Sequence, residues 1–348
     1  MSLRLKFAAA AVAVVATAAA VAAGAPADAH QRTLPAHIFT PYFQAYTDAS
    51  LAQQSQASGA KYLTMAFLQT AETGSCTILW NGDTTKPVAH SSFGADIAKV
   101  RARGGEVIPS FGGFSADDTA TEIADSCSSV NKIAAAYEKV ITTYNVTRLD
   151  MDVEDNSLTN NAGIDRRNKA IHQVEQWAAR VGRTVQFVYT LPTNVSGLDP
   201  SGVHVLANAK ANHARIDIVN IMTFDYYDDQ AHEMAADTKT ATGHLLTTLH
   251  KLYPGRSTNS LYRMIGVTEM VGIDDYGSGG ETGPLEIFTV ADAHTVLAWA
   301  QKHHLAELSF WALGRDNGGC PGTAGSDDCS GIAQSTWQFS HILEPFTK

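Results

Sequence analysis

The chain has 348 residues, 25 Lys and Arg against 35 Asp and Glu for a formal net charge of −10, and 45% hydrophobic residues. That length suits two average domains or one large α/β barrel, and a chain near 300 residues buries roughly 75% of its unfolded surface. The acidic balance argues against nucleic acid or an anionic membrane as partner, and five Trp, eleven Tyr and thirteen Phe with only 17% charged residues exclude a disordered chain.

Residues 1–29 have the layout of an export signal peptide. Arg4 and Lys6 form a short basic start, Phe7 to Ala23 runs almost wholly through Ala, Val and Phe, and Ala27-Asp28-Ala29 offers a small-x-small cleavage site. The expected mature chain, 30–348, is secreted and free of the membrane; the competing reading is an uncleaved anchor, for which a run of 17 residues is marginal. Export makes the four cysteines legible as two disulfides rather than metal ligands, since no C-x-x-C pair occurs. Cys320 and Cys329 lie nine apart across a flexible stretch, which leaves Cys76 to pair with Cys127. The 13 His show no zinc spacing, so neither a metal nor a cofactor is expected.

From residue 37 onward, β-branched or aromatic runs alternate with helical patterns. The runs cover 38–43, 62–68, 106–111, 148–153, 184–191, 216–224, 263–273 and 307–313. Between and after them, segments such as 130–144, 165–181, 231–252, 290–304 and 332–344 carry apolar residues three and four apart. Eight such units predict a single-domain (β/α)8 TIM barrel. An open doubly wound sheet is the alternative, weakened because no Gly-rich phosphate turn follows the first strand.

The fourth run reads Leu149-Asp150-Met151-Asp152-Val153-Glu154-Asp155. Alternation along a strand puts Asp150, Asp152 and Glu154 on one face and Leu149, Met151 and Val153 on the other. In a barrel the apolar set meets the helices, so three carboxylates stack inward with Glu154 at the mouth. Like charges packed this way force at least one to hold a proton, which suits a general acid. A surface strand or a divalent-cation site remains open from the pattern alone.

Asp150-x-Asp152-x-Glu154 ending a fourth strand resembles the signature of glycoside hydrolase family 18, the chitinases, with Thr147 where the fuller signature has an earlier acid. Ser110-Phe111-Gly112-Gly113 resembles the family's Ser-x-Gly-Gly at the third strand, and Met222-Thr223-Phe224-Asp225 its Met-x-Tyr-Asp at the sixth. Trp311 stands where the family carries an eighth-strand tryptophan. Tyr189-Thr190-Leu191-Pro192, Met264 to Thr268, Arg315-Asp316-Asn317 and the placement of the four cysteines are similar to a Pyrococcus-type bacterial and archaeal branch.

The resemblance implies a retaining mechanism in which the substrate's own acetamido group is the nucleophile. Glu154 would then be the general acid and base, Asp152 would orient the acetamido group, and Asp150 would tune Asp152. Asp225 would position the reacting sugar, Met222 would line the pocket floor, and Trp311 would stack on the sugar's apolar face. Phe224 stands where much of the family has a tyrosine, so Tyr189 or Tyr226 is expected to supply the missing hydroxyl. Tyr42, Phe43 and Trp80 are candidates for further subsites or for the core, and a sugar contact from Asp274 is a weaker expectation. Ser110, Gly112 and Gly113 are read as structural. Tyr227 and Asp155 depart from the branch at the expected rim, and the Gly-rich loop 277–280 is read as a mobile rim or a plain turn. The expected activity is hydrolysis of β-1,4-linked N-acetylglucosamine in chitin or chito-oligosaccharides by a monomer. The alternatives are an endo-β-N-acetylglucosaminidase acting on glycans or peptidoglycan and a non-catalytic chitin-binding lectin.

Overall fold

The structure is a computed structural model that describes residues 31–275, 283–323 and 326–347. The expected signal peptide and the 277–280 loop lie outside them. In chain order the strands are β1 (Ile38–Phe39), β2 (Tyr42–Gln44), β3 (Tyr62–Thr70), β4 (Ile78–Trp80), β5 (Glu106–Gly112), β6 (Arg148–Asp152), β7 (Gln186–Pro192), β8 (Ile218–Met222), β9 (Ile265–Met270), β10 (Gly272–Ile273), β11 (Ile287–Phe288) and β12 (Glu307–Trp311). The main sheet runs β1-β12-β9-β8-β7-β6-β5-β3-β2 through parallel pairs. β1 and β2 are two halves of one strand interrupted at Thr40-Pro41, where proline removes a ladder donor. One half pairs with β12 and the other with β3, so the sheet closes into an eight-stranded barrel, as the alternating pattern predicts.

Helices cover the outside, and their ends follow local chemistry. The helix Val130–Tyr144 starts where Ser129 accepts the Lys132 N–H and ends at Asn145 in the left-handed conformation. Its inward stripe is Ile133, Tyr137, Val140, Ile141 and Tyr144, the spacing that predicts it. The helix expected from 165 begins earlier, at Asn161–Arg180, because the Asn160 side chain caps the Gly163 N–H. The last helix, expected over 332–344, shrinks to Gln338–Leu343. Asp316 explains its start, since that buried carboxylate accepts the N–H groups of Phe339 and Ser340 at 3.0 and 2.8 Å.

The lower barrel is plugged by a buried Arg148–Glu307 ion pair and by two small apolar clusters, Ile38, Tyr62 and Ile108, and Val188, Ile218 and Ala306. The main apolar core lies between sheet and helices and takes in Leu149, Met151 and Val153. Polar chemistry is therefore left for the upper interior, at the strands' C-terminal ends. Among the described residues no helix is long and apolar enough to cross a membrane.

Cys76 is bonded to Cys127 and Cys320 to Cys329, the pairing that spacing and elimination predict. Their sequence separations are 51 and 9. If chain entropy dominates, removing the first bond with a double Ser substitution lowers stability by roughly 4 kcal/mol and removing the second by roughly 2.5 kcal/mol. Denaturant midpoints at equal slope measure the difference, and the reverse ranking would refute the loop-closure account.

Candidate active site

The site is built on one layer of small polar side chains, one from each wall of the barrel. Thr40, Thr64, Ser110, Asp150, Thr190, Asn220, Thr268 and Ser309 are all buried there. Hydrogen bonds link Ser110, Thr190, Asn220 and Thr268 around Asp150, and a second set joins Thr40, Thr64 and Ser309. Ser110 donates to its Oδ2 at 2.6 Å, Thr190 to its Oδ1 at 2.6 Å, and the Tyr42 hydroxyl to Oδ2 at 3.1 Å. Asn220 donates to Thr190 at 3.0 Å and to Thr268 at 2.7 Å. Burial raises Asp150 to about 6, and the hydroxyl donors hold it from going higher by solvating the anion.

Above it, Asp152 is equally buried but has no such donors, and its Oδ1 has no hydrogen-bond partner. Burial first, then the charges of Glu154, Asp150 and Asp117, push it well above the usual carboxylate range. Burial and the neighbouring acids therefore favour the protonated form of Asp152. Glu154, half-buried just past the end of β6, is pushed up to about 7, mainly by burial. The nearby Phe114 backbone N–H favours its anion and limits that rise.

A tight turn brings Phe114 there. Gly112 and Gly113 both have positive φ, +95° and +83°. A side chain on Gly112 would come 2.0 Å from the Asp152 carbonyl, and one on Gly113 would run into the Phe67 ring at 2.6 Å. Only glycine permits this approach. The turn leads into the helix Phe114–Asp118, whose Asp117 is fully buried and accepts the Glu154 N–H at 2.6 Å.

On the facing wall Asp225 follows β8 with φ +53°. Its N–H donates to Asp274 at 2.9 Å, and its side chain is hydrogen-bonded to Asp274 and Asp275. Burial, followed by those two acids, pushes Asp225 up to about 11. The three residues offer carboxylate oxygens within 4.8 Å of one another, a set that composition and spacing did not reveal. The buried Arg315 guanidinium beside them and the proton on Asp225 reduce their repulsion. Glu154 is near enough to add to the rise of Asp225. At the edge of the interior Trp311 stacks on Phe67 with centroids 5.7 Å apart and planes 10° apart, and lies 5.6 Å from Tyr42. Asp327 accepts the Trp311 indole N–H at 3.0 Å.

The structure therefore brings together Asp150, Asp152 and Glu154 on one side, and places Asp225 electrostatically beside them. Met222 shares the inward face of β8 with Asn220. Two expectations fail. Tyr189 is not in the cleft: Thr190 points inward, so its neighbour points out, and the Tyr189 hydroxyl donates to Asn168 on the helix Asn161–Arg180 at 2.9 Å. Tyr226 is also turned away, packed on the His232 ring at 4.7 Å near Glu269 and Asp237. Neither supplies the hydroxyl absent at Phe224. Phe43 and Trp80 belong to the core, whereas Tyr42 reaches Asp150. Asp274 is buried, holding the backbone of Asp225 and Asp275. Sequence reasoning missed Asp117, Phe67, Thr190, Asn220 and Asp275. The parity of β7 and β8 relative to β6 was the signal for Thr190 and Asn220.

Residues 38–284 match the family Glycosyl hydrolases family 18. The chain belongs to glycosyl hydrolase family 18. Among solved structures, this family 18 chain is similar to active domain 2 of the Pyrococcus furiosus chitinase, with 29% identity and a TM-score of 0.77 over 90% of this chain and 96% of that one. Mutants of the same domain complexed with chito-oligosaccharides match at 28% identity and 0.76, covering 90% and 95%. An Escherichia coli K12 protein named "Probable bifunctional chitinase/lysozyme" is 30% identical over 333 residues, 91% of this chain and 35% of that protein. "Endochitinase 11" of Metarhizium anisopliae is 28% identical over 296 residues, 82% and 54% respectively. The chain thus spans about a third and about half the length of these two curated relatives.

The family 18 column has a thermodynamic signature. An acid whose folded pKa is raised binds more protons folded than unfolded, so stability falls as pH rises above the unfolded value near 4. Asp152→Asn removes that loss. Calorimetry should show a higher midpoint than wild type at pH 7–8, about 2–4 °C for each kcal/mol recovered, and a vanishing difference below about pH 4. A difference independent of pH would contradict a protonated Asp152.

Proposed function

We propose that this protein is a secreted chitinase that hydrolyses β-1,4-linked N-acetylglucosamine with retention, using the substrate acetamido group as nucleophile. One observation carries the reading: a rim acid held near 7, Glu154, follows on the same strand face a carboxyl, Asp152, whose protonated form burial favours. In this reading Glu154 protonates the glycosidic oxygen and then deprotonates the incoming water. Asp152 hydrogen-bonds the acetamido N–H and accommodates the positive charge that develops on the oxazolinium-like intermediate. Asp150 receives part of that electrostatic demand through the column, Asp225 orients the sugar, and the Phe67–Trp311 stack offers an aromatic platform. The chito-oligosaccharide complexes of the similar Pyrococcus furiosus domain support the substrate class. Two disulfides support an oxidising compartment, in keeping with export directed by residues 1–29. The lysozyme half of the Escherichia coli relative's name favours peptidoglycan as a second substrate to assay.

Product analysis by NMR on N-acetylglucosamine tetramer and pentamer tests this. Wild type should release the β-anomer first, and Glu154→Gln should lower turnover on the order of 10²–10⁴-fold with binding largely kept. Binding without cleavage by wild type would move the assignment to a lectin, and an unchanged Glu154→Gln rate would remove Glu154 from the mechanism.

The pH profile has a defined sign. Glu154 must be protonated to donate, so kcat/KM on the tetramer should fall as pH rises through about 7. A flat profile between pH 6 and 9 would contradict its role.

A further inference from the structure

We propose that Asp117 is a positioning residue for Glu154, fixing the backbone from which the general acid projects. The inference rests on the assignment of Glu154 as that acid. The helix Phe114–Asp118 holds Glu154 through the Asp117 Oδ2, which accepts its backbone N–H at 2.6 Å, and brings the Phe114 N–H near enough to favour the Glu154 anion. Both contacts depend on the Gly112-Gly113 turn, which presses the helix start against the Asp152 carbonyl and sends the Gly113 N–H to it at 3.2 Å. Asp117 does not face substrate. It is wholly buried, and its Oδ1 has no hydrogen-bond partner.

A buried carboxyl spent on one backbone N–H needs an account, because burying it is costly and an uncharged acceptor would do the same job. Its surroundings hold it in place. Glu122, just before the helix Ile123–Ser126, and Arg167, on Asn161–Arg180, form a buried ion pair at 2.9 Å beside it. The Tyr137 ring packs from Val130–Tyr144, Asp125 lies next to Glu122 and Arg167, and Asp152 and Glu154 close the side toward the barrel. Burial and the Glu122 charge, partly offset by Arg167, push Asp117 well above the ordinary carboxylate range. With its protonated form favoured by burial, it acts chiefly by geometry, as the anchor of the Glu154 N–H.

Three variants separate this from simple structural damage. Asp117→Asn keeps an oxygen acceptor, so kcat on the tetramer should stay within about threefold of wild type. Asp117→Ala removes the acceptor, so kcat should drop on the order of 10–10²-fold with KM changed by less than about threefold. In the Ala variant the alkaline limb should also move to higher pH, because a displaced Glu154 loses the Phe114 N–H that favours its anion. Glu154→Gln is the control. If it stays active, the assignment of the acid fails. If it is inactive while Asp117→Ala matches wild type, or while Asn and Ala lose activity equally and in step with their thermal midpoints, the positioning role is overturned.

Discussion

Everything in the upper barrel follows from burying a carboxylate on its axis. The interior of an ordinary parallel barrel is filled by bulky branched side chains. Here Asp150 occupies that space, and an isolated carboxylate there would be strongly unfavourable. Three hydroxyls, from Tyr42, Ser110 and Thr190, ligate it, and Asn220 orients Thr190 in turn. Hydrogen bonds to a charged group contribute roughly 1.5–3 kcal/mol each, so three of them offset much of the desolvation. Ser110, Thr190 and Tyr42 are thus the solvation shell of one side chain.

The same reasoning orders the column. Asp150 has three hydroxyl donors, Asp152 has none from side chains and carries an orphan oxygen, and Glu154 has one backbone N–H at the rim. Donor count, more than depth, decides where the proton sits, because Asp150 and Asp152 are equally buried. Protonation is therefore favoured at the middle acid, while its neighbours are held at about 6 and about 7. In the proposed mechanism the acetamido N–H donates and Asp152 accepts, and Asp152 becomes the better acceptor if its proton passes down to Asp150 as positive charge develops above it.

Much of this was legible in the chain. Period-two alternation in residues 149–154 fixes which acids share a face, and a parallel barrel covered by helices fixes that face as the inside. The barrel, the eight strand positions and both disulfides follow from patterns of comparable strength. Tyr189 fails to supply the missing hydroxyl because of strand parity, whereas Tyr226 shares the parity of Asn220 and Met222 and is turned away by the left-handed backbone of Asp225. Once Thr190 is inward, Tyr189 has no route to the cleft. Asp117 and Asp275 were not legible for a different reason. Each lies in a loop or short helix just past a strand, where no periodicity indicates direction, and only the folded Gly112-Gly113 turn or the β9–β10 bend gives them a target.

The distribution of charge bears on what the cleft can hold. Carboxyls from β6 face Asp225, Asp274 and Asp275, with one guanidinium, Arg315, among the latter. An anionic ligand entering there would add repulsion to a site that already retains protons to stay neutral. A neutral sugar adds none. A cation forming on that sugar would be stabilised by carboxyls free to release their protons to one another, with no large rearrangement of the surrounding hydroxyls. The acidity that burial makes unfavourable in the resting protein is the feature that would favour an oxazolinium-like charge when it develops, which is the differential binding a catalyst requires.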